Sequence, residues 1–100
     1  MKTSIRKDHH GWNARSLSFD CEITTMKRYS GRIVSTMHYL DSFKTENGFE
    51  MTEYSPFSER NSKLQPLVHS ETRATEKTIA ECHRQALLHF DHIYSNILTK

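Results

Sequence analysis

The last quarter of the chain carries the pattern that most restricts its fold. Apolar positions recur there at alternating intervals of four and three residues, which places them on one face of an α-helix. The residues of this face are Ile79, His83, Ala86, Phe90, Ile93 and Ile97, with Cys82 and Tyr94 beside them. Hydroxyl side chains between Ser70 and Thr75 can cap its start. The pattern predicts a long C-terminal helix that needs a second layer to cover it.

The middle of the chain predicts β-strands for that second layer. Polar and apolar residues alternate over residues 16–25, which is typical of a half-buried strand. The inward side chains would be Leu17, Phe19, Cys21 and Ile23. Residues 32–43 are rich in β-branched and aromatic types and predict a central strand. Asn47-Gly48 is a strong hairpin signal, so residues 49–54 are expected to form a third strand.

Together these elements predict an α+β fold, a three-stranded antiparallel β-meander packed against one long C-terminal α-helix. Residues 1–12 show no strand or helix period and carry several cations, so they predict a flexible basic arm. Residues 13–100 then form a single domain, in which residues 55–69 are a loop that crosses from the sheet to the helix.

Composition restricts the class of protein. The chain has 100 residues, a formal net charge of +2 and two cysteines far apart in sequence. Its longest apolar run is Ala86-Leu87-Leu88, which is too short for a transmembrane helix or a signal peptide. Two isolated cysteines favour reduced thiols over a disulfide framework. We therefore expect a protein of the cytoplasm with no membrane partner.

The stretch "CHRQALLHFDHIY", residues 82–94, raises the question of a metal or catalytic site. Cys82 and His89 are two helical turns apart, about 10 Å, which is too far to share one ion easily. His83 lies within the apolar face and is expected to be a buried histidine that hydrogen-bonds to the sheet or the crossing loop. Cys82 and Cys21 are expected to be small core residues, with a Cys82–histidine nucleophile pair as an alternative.

We expect neither a metal nor a cofactor. Only three glycines are present, so no phosphate-cradling glycine loop exists. The predicted third strand places Glu50 and Glu53 on opposite faces, so they do not form a paired acid and base. A small open sheet under one helix offers little concave volume for a substrate. The sequence therefore favours a binding protein over an enzyme.

Two surfaces are candidates for that binding. In the predicted turn "KRYSGR", Lys27, Arg28 and Arg32 surround Tyr29. Basic side chains around an aromatic ring suit phosphate contacts with base stacking, and they equally suit a protein interface. An ordinary solvated turn is the alternative. The second surface is the acidic hairpin that contains Glu50 and Glu53, for which a charge-protected edge strand is the alternative.

The segments "KRYSGRIVSTMHY" and "TRATEKTIAECHRQAL" resemble, in their layout, small proteins encoded by phages and prophages, among them anti-CRISPR proteins. The residues that carry the resemblance lie in the turn and in the helix, and they are Lys27, Arg28, Tyr29, Gly31, Arg73, Thr75, His83, Ala86 and Leu87. It implies counter-defence by docking, and it assigns no functional residue. The β-β-β-α order also resembles part of a double-stranded RNA-binding domain, whose first helix is absent from residues 1–15.

The leading hypothesis is a small non-enzymatic inhibitor of the anti-CRISPR type, which docks on a host protein or ribonucleoprotein complex and blocks it. The alternative is a nucleic-acid-binding module that uses the basic arm and the turn from Lys27 to Arg32. Leu88 on the polar side of the helix, together with an exposed edge strand, permits either a monomer or a homodimer.

Overall fold

Strand-favouring residues and turn signals divide the chain into a sheet followed by a helix. The computed structural model describes residues 2–18, 21–44, 50–54 and 65–94. Over these ranges the elements are β1 (Lys2–Asp8), β2 (Gly11–Leu17), β3 (Cys21–Lys27), β4 (Ile33–Lys44), β5 (Glu50–Tyr54), β6 (Leu67–Val68) and α1 (Glu76–Tyr94).

The first five strands form an antiparallel meander in chain order, and α1 packs against one face of it. The two-residue β6 pairs with Val34 and Ser35 of β4. Because β3 pairs with those same two residues, β6 must lie along the opposite edge of β4. The predicted α+β class is therefore confirmed, but the predicted number of strands is wrong, since the meander has five rather than three.

The expected N-terminal arm is instead a β-hairpin. β1 pairs with β2 in continuous register from Lys2 opposite Leu17 to Asp8 opposite Gly11. β1 is almost wholly exposed, and its one large apolar residue, Ile5, is 38% exposed. A charged edge strand of this kind is held by backbone pairing and not by a buried face. Hydrophobic periodicity therefore cannot reveal it.

The strand predicted over residues 16–25 is two strands. β2 ends at Leu17 and β3 begins at Cys21, and between them the Ser18 backbone N–H donates to the Cys21 carbonyl over 2.9 Å. Ser16 is fully buried whereas Leu17 is 38% exposed, so the expected inward position of Leu17 is wrong. Cys21 and Ile23 are buried as predicted. Phe19 lies outside the described residues.

The later strands lie close to their predicted positions. β4 and β5 overlap the expected ranges 32–43 and 49–54, and they pair from Leu40 opposite Tyr54 to Lys44 opposite Glu50. The Asn47-Gly48 turn lies outside the described residues, as does most of the crossing loop. The described end of that loop contains β6, which was not predicted because two residues are too few to show a period.

Helix α1 begins as predicted, behind a hydroxyl cap. Thr78 N–H donates to Thr75 Oγ1 over 3.2 Å, and Thr75 N–H donates to Thr78 Oγ1 over 2.9 Å. This reciprocal pair satisfies backbone donors that the first turn leaves without helical partners. Within the described ranges of the chain, no helix is long and apolar enough to span a membrane.

The predicted apolar face of α1 is buried over about its first four turns, as far as Phe90. Ile79, His83, Ala86 and Phe90 are each at most 1% exposed. Ile93 is 49% exposed, which corrects its expected place in the core, and Ile97 lies outside the described residues. The face packs into two apolar clusters. One is built around Ile23, Met37 and Phe90, and the other around Ala14, Ile33 and Ile79.

Candidate binding surfaces

The β3–β4 turn presents the residues that the sequence analysis selected for binding. Gly31 N–H donates to the Arg28 carbonyl and Arg28 N–H donates to the Arg32 carbonyl, both over 2.9 Å. Gly31 has a positive φ, +86°, which closes a three-residue loop in this position. Tyr29 is fully exposed at the tip, and Lys27, Arg28 and Arg32 are also exposed. The turn therefore holds an aromatic ring among three cations.

An open groove of about 380 Å³ lies beside this turn. The turn contributes Lys27, Arg28 and Tyr29 to its described lining, and Met26 and His10 contribute the rest. His10 belongs to the β1–β2 turn, which lies at the same end of the sheet because successive hairpins of a meander alternate ends. His10 was not predicted as a site residue, because residues 1–12 were expected to form an arm. The residue that could have indicated the β1–β2 hairpin is Gly11, because glycine readily adopts a positive φ, which is +104° here.

The charges at this end of the sheet are mostly positive. Among the described residues, no ion pair involves Lys27, Arg28 or Arg32. Lys7 Nζ lies 6.0 Å from the centre of the Trp12 ring, within reach of a cation–π contact. Asp8 brings a negative charge, and its carboxylate accepts from His10 N–H over 2.8 Å and from the Asn13 amide over 3.1 Å. We call residues 7–12 and 26–32 together the basic end.

Glu50 and Glu53 lie in a different region. Glu50 pairs with Lys44, at the far end of β4 from the basic end, and Glu53 pairs with Asp41. Eleven residues of extended strand separate Ile33 from Lys44, a length of roughly 35 Å. The register places the acids Glu53 and Asp41 directly opposite each other. The candidate residues therefore occupy two separate regions, and Lys27 to Arg32 form a surface without Glu50 or Glu53.

His83 occupies the predicted position of a core histidine with hydrogen bonds to the sheet. Its Nε2 lies 2.6 Å from Ser16 Oγ and its Nδ1 lies 2.7 Å from Thr25 Oγ1. Thr25 Oγ1 lies 2.6 Å from Ser35 Oγ, which lies 2.7 Å from His69 Nε2. We call these five buried side chains the polar row. It crosses β2, β3 and β4 between the two apolar clusters.

Burial keeps His83 neutral. Desolvation, with a smaller contribution from the nearby charge of His69, lowers the pKa of His83 to about 4. A neutral imidazole has one donor and one acceptor nitrogen, so hydroxyl groups on either side can satisfy both. Among the described residues, no buried side-chain nitrogen or oxygen lacks a hydrogen-bond partner. The polar row is therefore a satisfied network inside the core.

The cysteines are also inside the fold. Cys21 and Cys82 are both buried, and neither is in a disulfide bond. Burial raises the pKa of the Cys82 thiol, and the carboxylates of Glu71 and Glu81 raise it further. A nucleophilic cysteine needs the opposite shift, because the thiolate is the reactive form. Over the described residues, no group of three or more His, Cys, Asp or Glu side chains is arranged to hold a metal ion.

Comparison with known proteins adds no further assignment. No protein-family model, no curated protein and no solved structure matches this chain.

Proposed function

We propose that this protein acts by binding, and that it docks through the basic end on an acidic surface of a macromolecular complex. The version that we favour is an inhibitor encoded by a phage or another mobile element, which blocks a host defence complex. The observation that carries the proposal is Tyr29, which stands fully exposed among Lys27, Arg28 and Arg32.

The physical basis of the proposal is that the turn is preorganised. Two backbone hydrogen bonds and the positive φ of Gly31 fix the loop, so little conformational entropy is lost there on binding. Tyrosine and arginine are enriched among residues that dominate protein interfaces. The groove beside Tyr29 can receive an apolar side chain of the partner over Met26.

The location of the reactive residue types also supports docking. His83 is 1% exposed and Cys82 is 6% exposed, and both belong to the side of α1 that packs against the sheet. Packing of the thiol and hydrogen bonding of the imidazole are therefore sufficient reasons for these two residues to be present in the core. Cations and an exposed aromatic ring dominate the accessible surface of the basic end, and these groups suit binding.

A second candidate is nucleic-acid binding by the same surface. The specific observation in its favour is that both turns contribute, since His10 from one and Lys27, Arg28 and Tyr29 from the other line one groove. Lysine and arginine can follow phosphates while an exposed tyrosine ring stacks on a base. This candidate predicts that affinity falls steeply as salt rises.

A pull-down from lysate of the bacterial host, with and without nuclease, tests the proposal. The bait is the wild-type chain, the double variant Arg28→Ala/Tyr29→Ala, or a control, Lys77→Ala/Leu88→Ala. The control also removes one cation and one exposed large side chain, but from the helix. We expect a discrete protein complex with the wild type and the control, resistant to nuclease and absent with R28A/Y29A. Recovery that vanishes with nuclease would replace the inhibitor with the nucleic-acid candidate. Equal recovery by all three baits would refute both.

A further inference from the structure

A second groove lies between β6 and helix α1, and its described lining shares no residue with the basic end. Its volume is about 490 Å³, which is within the range of ligand-binding clefts, roughly 300–1,000 Å³. β6 and the residues after it form one wall, with Val68, His69 and Glu71 among them. One face of α1 forms the other wall, through Thr78, Glu81, Cys82 and Gln85. We call this the acidic groove, for the two carboxylates in its described lining.

The β6 wall presents an open strand edge. His69 N–H donates to the Ile33 carbonyl of β4 over 2.9 Å. Backbone groups of alternate residues in an antiparallel strand point to opposite edges, so the N–H and C=O of Val68 point away from β4. No described strand pairs with β6 on that side. The Val68 side chain is 56% exposed. Such an edge is a template on which another extended chain can pair.

The charge of the groove favours an occupant with a basic side chain. Hydrogen bonds from the backbone N–H groups of Arg73 and Thr72 lower the pKa of Glu71. A hydrogen bond from Arg84 lowers the pKa of Glu81. Both groups are therefore carboxylates at neutral pH. Glu81 forms an ion pair with Arg84 over 2.6 Å, whereas among the described residues no ion pair involves Glu71. No lysine or arginine is among the described lining residues. An occupant with a basic side chain complements this charge.

The floor of the groove offers one more polar group. His69 is 6% exposed, and its Nε2 is 2.7 Å from Ser35 Oγ in the polar row. Among the described residues, no hydrogen bond reaches the Nδ1 of His69. Because His69 also lines the groove, Nδ1 is the ring atom available to an occupant. A backbone N–H or C=O group of an incoming chain could bind there, depending on the tautomer of the ring.

From the open edge of Val68, the two carboxylates and the helical wall, we propose that the acidic groove binds an extended, basic segment of a partner protein. The segment pairs with Val68 as an added strand, and its alternate side chains point towards α1. A lysine or arginine among them meets Glu71 or Glu81. This second docking surface is independent of the basic end, so the protein can hold two sites of opposite charge.

A selection from a phage-displayed library of random octapeptides, with the full-length chain as the target, tests this proposal. We expect the selected peptides to be enriched in lysine or arginine and in β-branched residues. Their affinity should fall at least tenfold for Glu71→Gln/Glu81→Gln, which keeps the shape of both side chains. It should not change for the control Glu76→Gln, an exposed glutamate of α1 outside the described lining of the groove, or for R28A/Y29A.

Backbone methylation of a selected peptide tests the added strand. A strand that pairs along one edge uses the N–H groups of alternate residues. Methylation of one alternate set should therefore abolish binding, whereas methylation of the other set should leave it within about threefold. Equal effects of both sets would overturn the added strand. The proposal is also overturned if no basic peptide is selected, if E71Q/E81Q binds as the wild type does, or if the groove proves to be the interface of a homodimer.

Discussion

The polar row and the basic end both consist of polar side chains, but one set is buried and the other is exposed. The polar row places His83 and its hydroxyl partners inside the core, where each ring nitrogen has a partner within 2.7 Å. The basic end places Arg28 and Tyr29 on a fixed turn in solvent. Polar groups of the first kind determine how the helix sits on the sheet, and those of the second kind remain available to a partner. Substitutions should therefore affect stability in one region and binding in the other.

The largest expected effect is from His83→Ala. The change removes a fully buried ring, leaves a cavity between the two apolar clusters and takes a partner from both Ser16 and Thr25. We expect a loss of about 3–4 kcal/mol in the free energy of unfolding, measured by urea denaturation. An effect below about 1 kcal/mol would mean that the polar row does not hold the helix.

A matched variant sharpens this result. His83→Leu combined with Ser16→Ala and Thr25→Val replaces the centre of the polar row by apolar groups of similar size. Ser35 keeps His69 as a partner, and the exposed Thr3, which loses Ser16, can bond to water instead. We therefore expect a cost at least 2 kcal/mol smaller than that of His83→Ala. Equal costs would show that burial of the ring, and not its hydrogen bonds, carries the stability.

Acid should weaken the fold through the same residue. The pKa of His83 is about 4 in the folded chain, compared with 6.5 for an ordinary histidine. The unfolded chain therefore takes up a proton below pH 6.5 that the folded chain refuses until about pH 4. Stability is fully present above pH 6.5 and falls between pH 6.5 and 4, by about 3 kcal/mol at most. Urea denaturation at several pH values should show this slope. The triple variant with His83→Leu, Ser16→Ala and Thr25→Val should show a smaller slope.

In the basic end, Arg28→Ala/Tyr29→Ala should weaken binding by about 2 kcal/mol, roughly 30-fold in Kd, as measured by calorimetry with the captured partner. Both side chains are exposed, so the free energy of unfolding should change by less than about 0.5 kcal/mol. A loss of stability as large as that of His83→Ala would contradict the contrast between the regions.

The smallest expected effect is from a variant in the turn of the basic end that should change both stability and binding. Gly31→Ala meets no neighbouring atom within 4 Å, but it places an L-residue at a φ of +86°. The strain should cost about 1 kcal/mol of stability and displace Tyr29, so binding should weaken several-fold. Thermal unfolding and calorimetry on one preparation measure both. Unchanged binding would show that the shape of the turn is unimportant.

The sequence predicted features that leave a periodic or positional signal. Ile79, Ala86 and Phe90 repeat at helical spacing, and a histidine between them is buried where that spacing places it. The turn at Gly31 was likewise visible, because only a few residue types adopt a positive φ easily.

The sequence did not predict features that depend on pairing between distant strands. β1 buries almost nothing, so its hairpin with β2 rests on backbone hydrogen bonds that no residue pattern reports. The turn at Ser18 shifts the inward face between β2 and β3, and a single alternation therefore misplaced Leu17. The sequence predicted that His83 hydrogen-bonds to the sheet or the crossing loop. It did not predict Ser16 and Thr25 as the partners, because these follow from the strand register.

The most direct test of docking through the basic end is photo-crosslinking at two exposed positions. Benzoylphenylalanine replaces Tyr29 in one preparation and Leu88 in another, and each is irradiated in nuclease-treated lysate of a bacterium, the host class that we propose. Both side chains are exposed, so neither replacement disturbs the core. Our account predicts a discrete protein crosslink from position 29 and none from position 88. A crosslink from position 88 with none from position 29 would contradict it.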